Sequence, residues 1–254
     1  MAVLRNGESV AGVASSWQAG PACPRLTEGA LHVWRADLEA RENPLDGLLS
    51  RGERARAERM SGELQRRRWI RSRGLLRLLL AGYLQLDPRV LRFRTGARGK
   101  PALRADPSRS SEPLRPASPG APAISFNLSH SGGSALFAFS AVGPVGVDLE
   151  VARHGSHTVA LAARAFGPAE AGRLQALDPV TREREFLRAW VRHEAALKWR
   201  GGGLATVRTH GPERPAWIAE LGVGPHAAAA LATSQAPGTL SCWTWTARAE
   251  MVCR

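Results

Sequence analysis

Lysine is nearly missing from this chain of 254 residues: of 35 basic positions only Lys100 and Lys198 are lysine, and all the others are arginine. Cysteine is scarce too. Cys23, Cys242 and Cys253 are scattered, odd in number and without C-x-x-C spacing, which argues against a disulfide framework and a thiolate zinc site and for a reducing compartment. Long apolar runs are absent: spanning a bilayer takes roughly 18 residues, whereas the longest run covers only 227–232 and the leucine-rich stretch 75–80 is interrupted by Arg77. No charged-then-apolar signal order opens the chain, so the cytoplasm is the expected location. Nucleotide-binding loops of the G-x-x-x-x-G-K-[ST] or G-x-G-x-x-G type do not occur.

What is present describes a folded protein. Hydrophobic residues make up 44% and charged residues 22%, near globular averages, and the length suits one large domain or two modest ones. The formal charge of +13 points to an anionic ligand or partner without saying which. In so arginine-biased a chain, the two lysines mark places where a compact ammonium is required, unless they survive by chance; arginine is a flat fork, lysine a point charge on a thin stem.

Residues 1–30 are rich in Gly, Ala and Ser and read as an irregular leader. A first strand is expected at 31–38. Helical periodicity runs from 51 to 86, with ten arginines between Arg51 and Arg77 and an apolar face of Trp69, Leu76, Leu80 and Leu84. The arginines are either a solvated face or an anion-binding wall, with Arg73 the inward candidate. A short strand at 90–94 precedes the turn Gly99-Lys100-Pro101, and a Pro/Ser-rich stretch at 106–122 forms an exposed linker near the chain midpoint. Residues 31–122 and 123–254 then make the two halves. Beyond the linker, strands around tight turns fill 124–150, helices 160–177 and 181–200, and strands 217–221 and 240–247. Helices and antiparallel strands mix without a βαβ rhythm, which favours an α+β fold.

Three constellations are able to carry chemistry. In Val145-Gly146-Val147-Asp148-Leu149-Glu150, strand alternation puts Val145, Val147 and Leu149 on one face and Gly146, Asp148 and Glu150 on the other. The two carboxylates suit a hard divalent cation, most simply Mg²⁺, and Gly146 leaves room for a ligand beside the backbone; the plain alternative is a solvated acidic face. Phe186, Trp190, Glu194 and Lys198 recur four apart on one helix face. Glu194 and Lys198 are then either an exposed ion pair, or a third carboxylate and an ammonium aimed at the first site. Phe126-Asn127-Leu128-Ser129-His130-Ser131-Gly132-Gly133 reads as a donor-rich turn suited to an anion, or as a packed histidine in an ordinary loop. His154 and His157 have no further ligand nearby and make no zinc site.

Together and in this order, these segments resemble the Sfp-type 4′-phosphopantetheinyl transferases. The carrying residues are Arg98-Gly99-Lys100-Pro101-Ala102-Leu103, Phe126-Asn127-Leu128-Ser129-His130-Ser131, Val145-Gly146-Val147-Asp148-Leu149-Glu150 and Trp190-Val191-Arg192-His193-Glu194-Ala195-Ala196-Leu197-Lys198. The resemblance implies two similar α+β halves related by a pseudo-twofold axis, each a small, mainly antiparallel sheet with packed helices, and coenzyme A in the cleft between them. It implies transfer of phosphopantetheine from coenzyme A to a serine of an acidic acyl or peptidyl carrier protein, by a monomer that uses neither nucleic acid nor membrane. It further implies Mg²⁺ on Asp148, Glu150 and Glu194; Glu194, or Glu150 through water, as general base; and Lys198 as phosphate clamp. Ser129 and His130 would contact coenzyme A, and Lys100, Pro101 and Arg73 would bind it on the phosphate side. Glu170 falls on a further acidic motif position. His193 stands where the family usually has lysine; if that lysine touches a phosphate, His193 would do so when protonated. The rival from another class is a non-enzymatic, basic nucleic-acid-binding protein, disfavoured by the single tyrosine and an aromatic content of 6%.

Overall fold

The computed structural model describes residues 10–12, 16–40, 44–95, 101–103, 122–152, 158–201 and 215–246. In chain order the elements are β1 (Val10–Gly12), β2 (Gln18–Ala19), β3 (Ala30–Asp37), α1 (Arg51–Glu58), α2 (Glu63–Leu84), β4 (Phe93–Thr95), β5 (Pro101–Leu103), β6 (Ser125–Ser131), β7 (Ser134–Ser140), β8 (Val145–Val151), α3 (Thr158–Phe166), α4 (Pro168–Gln175), α5 (Pro179–Trp199), β9 (Trp217–Leu221), β10 (Ala227–Thr233) and β11 (Thr239–Thr244). The fold is α+β. Lys100, the linker residues 106–121, His154, His157 and Cys253 lie outside the described residues.

Several boundaries depart from the sequence pattern for local reasons. The helix expected over 51–86 is two. Ser50 caps α1 through a capping box with Glu53, and α2 restarts after Gly62 as its N-cap. The helix expected over 160–177 also divides, at Gly167 (φ +94°), followed by Pro168 in the first turn of α4. The strand expected at 90–94 starts three residues later, because Asp87 closes a turn onto the backbone N–H groups of Arg89 and Val90. Within the segment read as an irregular leader, Val10–Gly12 pairs in parallel with β9 and Gln18–Ala19 with β11.

The chain forms two compact units. One comprises Met1–Ser16, Leu128–Gly132 and Pro144–Ala236; the other comprises Trp17–Asn127, Gly133–Gly143 and Pro237–Arg254. In the first unit β1, β9, β10 and β8 form a sheet in that order, β10 running antiparallel to both neighbours. Helix α5 packs on it through Val191 and Ala195 against Ile218, Ala230 and Ala232, and a second cluster joins Phe186 to Ala162, Ala171 and Leu174 of α3 and α4. The alanines of β10 lie close under the helix, and burial rather than strand propensity holds them extended.

The second unit carries the sheet order β2-β11-β3-β7-β6, with β6 beginning here and passing to the first unit at Leu128. Trp34, Phe137 and Phe139 of its sheet and Leu75, Leu76, Leu79, Leu80 and Leu84 of α2 are fully buried. The only tyrosine, Tyr83, receives a hydrogen bond from Trp34 Nε1 (2.9 Å) and pairs with His32 Nδ1 (2.9 Å). Each sheet was expected to be mainly antiparallel; in the first unit this holds except for the short parallel pairing of β1 with β9, and the sheet of the second unit is mixed. β11 runs parallel to β2 and β3, which is possible because a long crossover separates them in sequence.

The arginine cluster is partly neither a solvated face nor an anion wall. Arg77, 1% exposed, donates to Glu53 Oε2 (2.6 Å) and to the carbonyls of Pro88 (2.7 Å) and Leu91 (3.1 Å), so it ties the end of α2 to the following turn. Its partner is an acid buried with it, as a buried guanidinium requires. Cys23 is disulfide-bonded, which goes against the reading that disfavoured disulfides, since distance along the chain does not reveal which thiols fold together. Cys242 is a free thiol, pushed up to about 11 by burial. No helix among the described residues is long and apolar enough to cross a membrane.

Candidate active site

Strand β8 shows the expected alternation, with Val145, Val147 and Leu149 buried on one face. The opposite face is covered rather than solvated. A Cβ on Gly146 would lie 1.9 Å from the carbonyl oxygen of Ala195 and 2.4 Å from the backbone N of Trp199. The space expected for a ligand is therefore filled by α5, and glycine is what lets this helix approach the strand so closely. Two residues along, Asp148 is only 3% exposed.

Helix α5 begins at Pro179, with the Asp178 carboxylate accepting from the N–H groups of Val180 and Thr181. Its apolar stripe aims Glu194 and Lys198 at β8. Lys198 Nζ donates to Asp148 Oδ1 (2.6 Å) and to Ser129 Oγ (2.9 Å), so the reading of Lys198 as half of an exposed pair with Glu194 is set aside. Burial, then the neighbouring Asp148 carboxylate, raises the pKa of Glu194; Lys198 opposes this and Glu150 adds to it. The two acidic segments, more than 40 residues apart in sequence, thus feel each other's charge.

Of the segment 126–133, expected as a donor-rich turn, residues 126–131 belong to the strand β6, and the chain turns only at Gly132 and Gly133. Alternation places Ser129 and Ser131 on one buried face and leaves His130 exposed. Ser129 Oγ donates to Asp148 Oδ1 (2.9 Å) and Ser131 Oγ donates to Glu150 Oε2 (2.8 Å). The donors of this motif therefore meet carboxylates of the protein itself. The role of Ser131 was not foreseen, although its signal is in the sequence: the Ser129/Ser131 spacing matches that of Asp148/Glu150.

Ser129, Ser131, Asp148, Glu150, Glu194 and Lys198 come together in the first unit. Asp148 Oδ2 and Glu194 Oε1 are buried and find no hydrogen-bond partner among the described residues, an expense that a bound hard cation would offset. In donor type these carboxylates fit Mg²⁺. They are not assembled as a ready cage: no group of three or more His, Cys, Asp or Glu side chains among the described residues is arranged to hold a metal ion. Asp148 is shared with the Lys198 ammonium instead.

The other expected residues have other surroundings. His193 packs edge-on against Phe166 with ring centroids 5.4 Å apart, and burial, followed by Arg200, lowers its pKa, which disfavours the protonated form. Arg73 in the second unit is paired with Glu53 Oε1 (2.7 Å) and lies over the Phe93 ring. Pro101 opens β5 opposite Thr95. Glu170 pairs with Arg173 one turn away (2.6 Å).

A family model described as the 4′-phosphopantetheinyl transferase superfamily matches residues 144–247, which include β8 and α5. The chain is 36% identical over 193 residues to the 4′-phosphopantetheinyl transferase HetI of Nostoc sp. strain PCC 7120, covering 75% of this chain and 76% of that relative. It is 36% identical over 158 residues to a putative 4′-phosphopantetheinyl transferase of Synechocystis sp. strain PCC 6803, covering 62% and 59%. Against the 4′-phosphopantetheinyl transferase Sfp of Bacillus subtilis strain 168 the identity is 30% over 131 residues, covering 52% and 50%. The long match to HetI, together with the family match over the segment that carries Asp148, Glu150, Glu194 and Lys198, identifies this chain as a member of the 4′-phosphopantetheinyl transferase superfamily.

Proposed function

We propose that the chain transfers the 4′-phosphopantetheine group of coenzyme A to a serine hydroxyl of an acidic acyl or peptidyl carrier protein, with Mg²⁺ held by Asp148, Glu150 and Glu194. The observation that carries this reading, within this family, is the pair of buried oxygens Asp148 Oδ2 and Glu194 Oε1, without hydrogen-bond partners among the described residues, on two elements that share one electrostatic environment. Bound Mg²⁺ would offset the charge of the pyrophosphate.

The residues divide the remaining work. As the serine oxygen bonds to phosphorus and the phosphoanhydride bond breaks, adenosine 3′,5′-bisphosphate leaves and the hydroxyl proton passes to a base. Glu194 suits that role because its raised pKa makes it a better proton acceptor than an exposed glutamate; Glu150 through a water is the other route. Lys198 brings an ammonium to the same carboxylates and would pair with phosphate oxygens. Ser129 and His130 would contact coenzyme A, joined on the phosphate side by Lys100, Pro101 and Arg73, the last already committed through Nε to Glu53, and by His193 only when protonated, a form that its burial disfavours. The cleft between two similar halves about a pseudo-twofold axis, which the family resemblance implies, belongs to this proposal, as do a monomeric working state and a cytoplasmic location.

The net charge of +13 supports an acidic partner by speeding encounter. The nucleic-acid reading gains no support, since buried or half-buried arginines such as Arg77, Arg73 and Arg192 are spent on internal acids. The test is incubation of the full chain with Mg²⁺, coenzyme A and a panel of apo carrier proteins, followed by intact mass. A phosphopantetheine adduct is expected, and Asp148→Ala or Glu194→Ala should abolish it with the circular dichroism spectrum preserved. No adduct on any carrier overturns the reading, and a fully active Asp148→Ala variant overturns the metal assignment.

A further inference from the structure

The two serines of β6 meet the two carboxylates of β8 as matched rungs, each pair 19 residues apart in sequence. The rungs are held differently. Ser129 Oγ donates to Asp148 while accepting from Lys198 Nζ, so its position depends on a flexible ammonium. Ser131 Oγ accepts from the backbone N–H of Val151 (3.1 Å) and is 4% exposed. A hydroxyl has one proton. With a main-chain N–H directed at its oxygen, the proton of Ser131 points away from the backbone, and Glu150 Oε2 at 2.8 Å receives it.

We propose that Ser131 is a positioning residue for Glu150: a hydroxyl pinned by the backbone of β8 fixes one carboxylate oxygen of Glu150 and so orients this carboxylate to share a divalent cation with Asp148 and Glu194. The inference rests on the metal reading given above and adds a residue to it. The physical case is that a side chain with three rotatable bonds, only partly buried, loses affinity for a cation if the carboxylate must be ordered on binding. A hydrogen bond already in place removes that cost. Ser131 is well suited because its own oxygen is held by main chain and not by another mobile side chain.

The test compares the full-length wild type with Ser131→Ala and Ser131→Thr in titrations with Mn²⁺ alone, read by calorimetry or by the electron paramagnetic resonance signal of free Mn²⁺. Loss of an outer-shell partner typically weakens metal binding about 10- to 100-fold, and this is the range expected for Ser131→Ala. Ser131→Thr keeps the hydroxyl and should bind nearly as well as wild type. In transfer assays, Ser131→Ala should need more Mg²⁺ for half-maximal rate while recovering most of its kcat at saturating Mg²⁺. A merely structural serine would instead lower the melting temperature and leave the Mn²⁺ affinity of the folded variant unchanged, which overturns the inference. A threonine variant as weak as the alanine variant overturns it too. If Ser131→Ala does not fold, Ser131→Cys, with its poorer donor, takes its place with the same expected loss. A wild type that binds no Mn²⁺ overturns the metal reading itself, a result distinct from equal binding by wild type and variant.

Discussion

The Lys198 ammonium stands 2.6 Å from Asp148 Oδ1, and the aspartate side chain is only 4% exposed. In the proposed metal site, Lys198 and a divalent cation would call on the same carboxylate. Replacing Lys198 by Met leaves a nearly buried acid without its cationic partner, and the loss should be about 2 kcal/mol, below the range for fully buried pairs because Lys198 itself reaches solvent. Mn²⁺ should then raise the melting temperature of Lys198→Met more than that of wild type, although transfer is lost. Equal Mn²⁺ shifts in the two proteins would show that the cation does not reach Asp148.

A proton would compete with the cation for the proposed site. Burial and the Asp148 charge raise the Glu194 pKa, so as pH falls through that value Glu194 takes up a proton that it must release to bind a cation. Mn²⁺ affinity should therefore weaken with falling pH, by up to about tenfold per unit below the pKa for one coupled proton. Glu194→Gln should bind more weakly and lose this slope. Calorimetry in buffers of different ionisation enthalpy would detect the released proton, and a flat profile in wild type would count against Glu194 as a ligand.

Gly146→Ala tests the close approach of α5 to β8. Its new Cβ would sit 1.9 Å from the Ala195 carbonyl, a backbone atom that cannot rotate aside, so the helix bearing Glu194 and Lys198 must move. Overpacking of this kind costs about 1–3 kcal/mol. A clear fall in melting temperature and in transfer rate is expected, and a variant with native stability would show that the helix has room to give.

His32 carries a pH dependence unrelated to the site. It is 6% exposed and its pKa is lowered by burial to about 4, against about 6.5 in an unfolded chain. Between those values the unfolded state binds the extra proton, so its contribution to stability is full above about pH 6.5 and is lost as pH falls toward 4. The total is about 3 kcal/mol at 1.36 kcal/mol per unit. Denaturant unfolding at pH 7 and pH 5 should show a smaller loss for His32→Gln than for wild type. Identical pH slopes would remove His32 from the account.

Much of this was legible in one dimension. Strand alternation separated Asp148 and Glu150 from Val145, Val147 and Leu149, and helical spacing put Glu194 and Lys198 on the face of Phe186 and Trp190, because both patterns follow from the repeat of a single element. Strand β10 was not legible as a strand, since a run of alanines carries no strand preference and is extended only because β8 and β9 flank it. The interruption of α2 from α1 and of α4 from α3 turned on caps and a left-handed glycine, which a hydrophobic period does not register.

By itself, then, the sequence determined which residue types share a face, the α+β class and the family. Tertiary structure alone decided that Gly146 seats a helix and not a ligand, that Arg77 is a buried tie, that Lys198 bonds Asp148, and that Ser131 holds Glu150. Each of these depends on which atoms of distant segments come within about 3 Å, and such distances are set by packing among several elements at once, which no repeat along one element encodes.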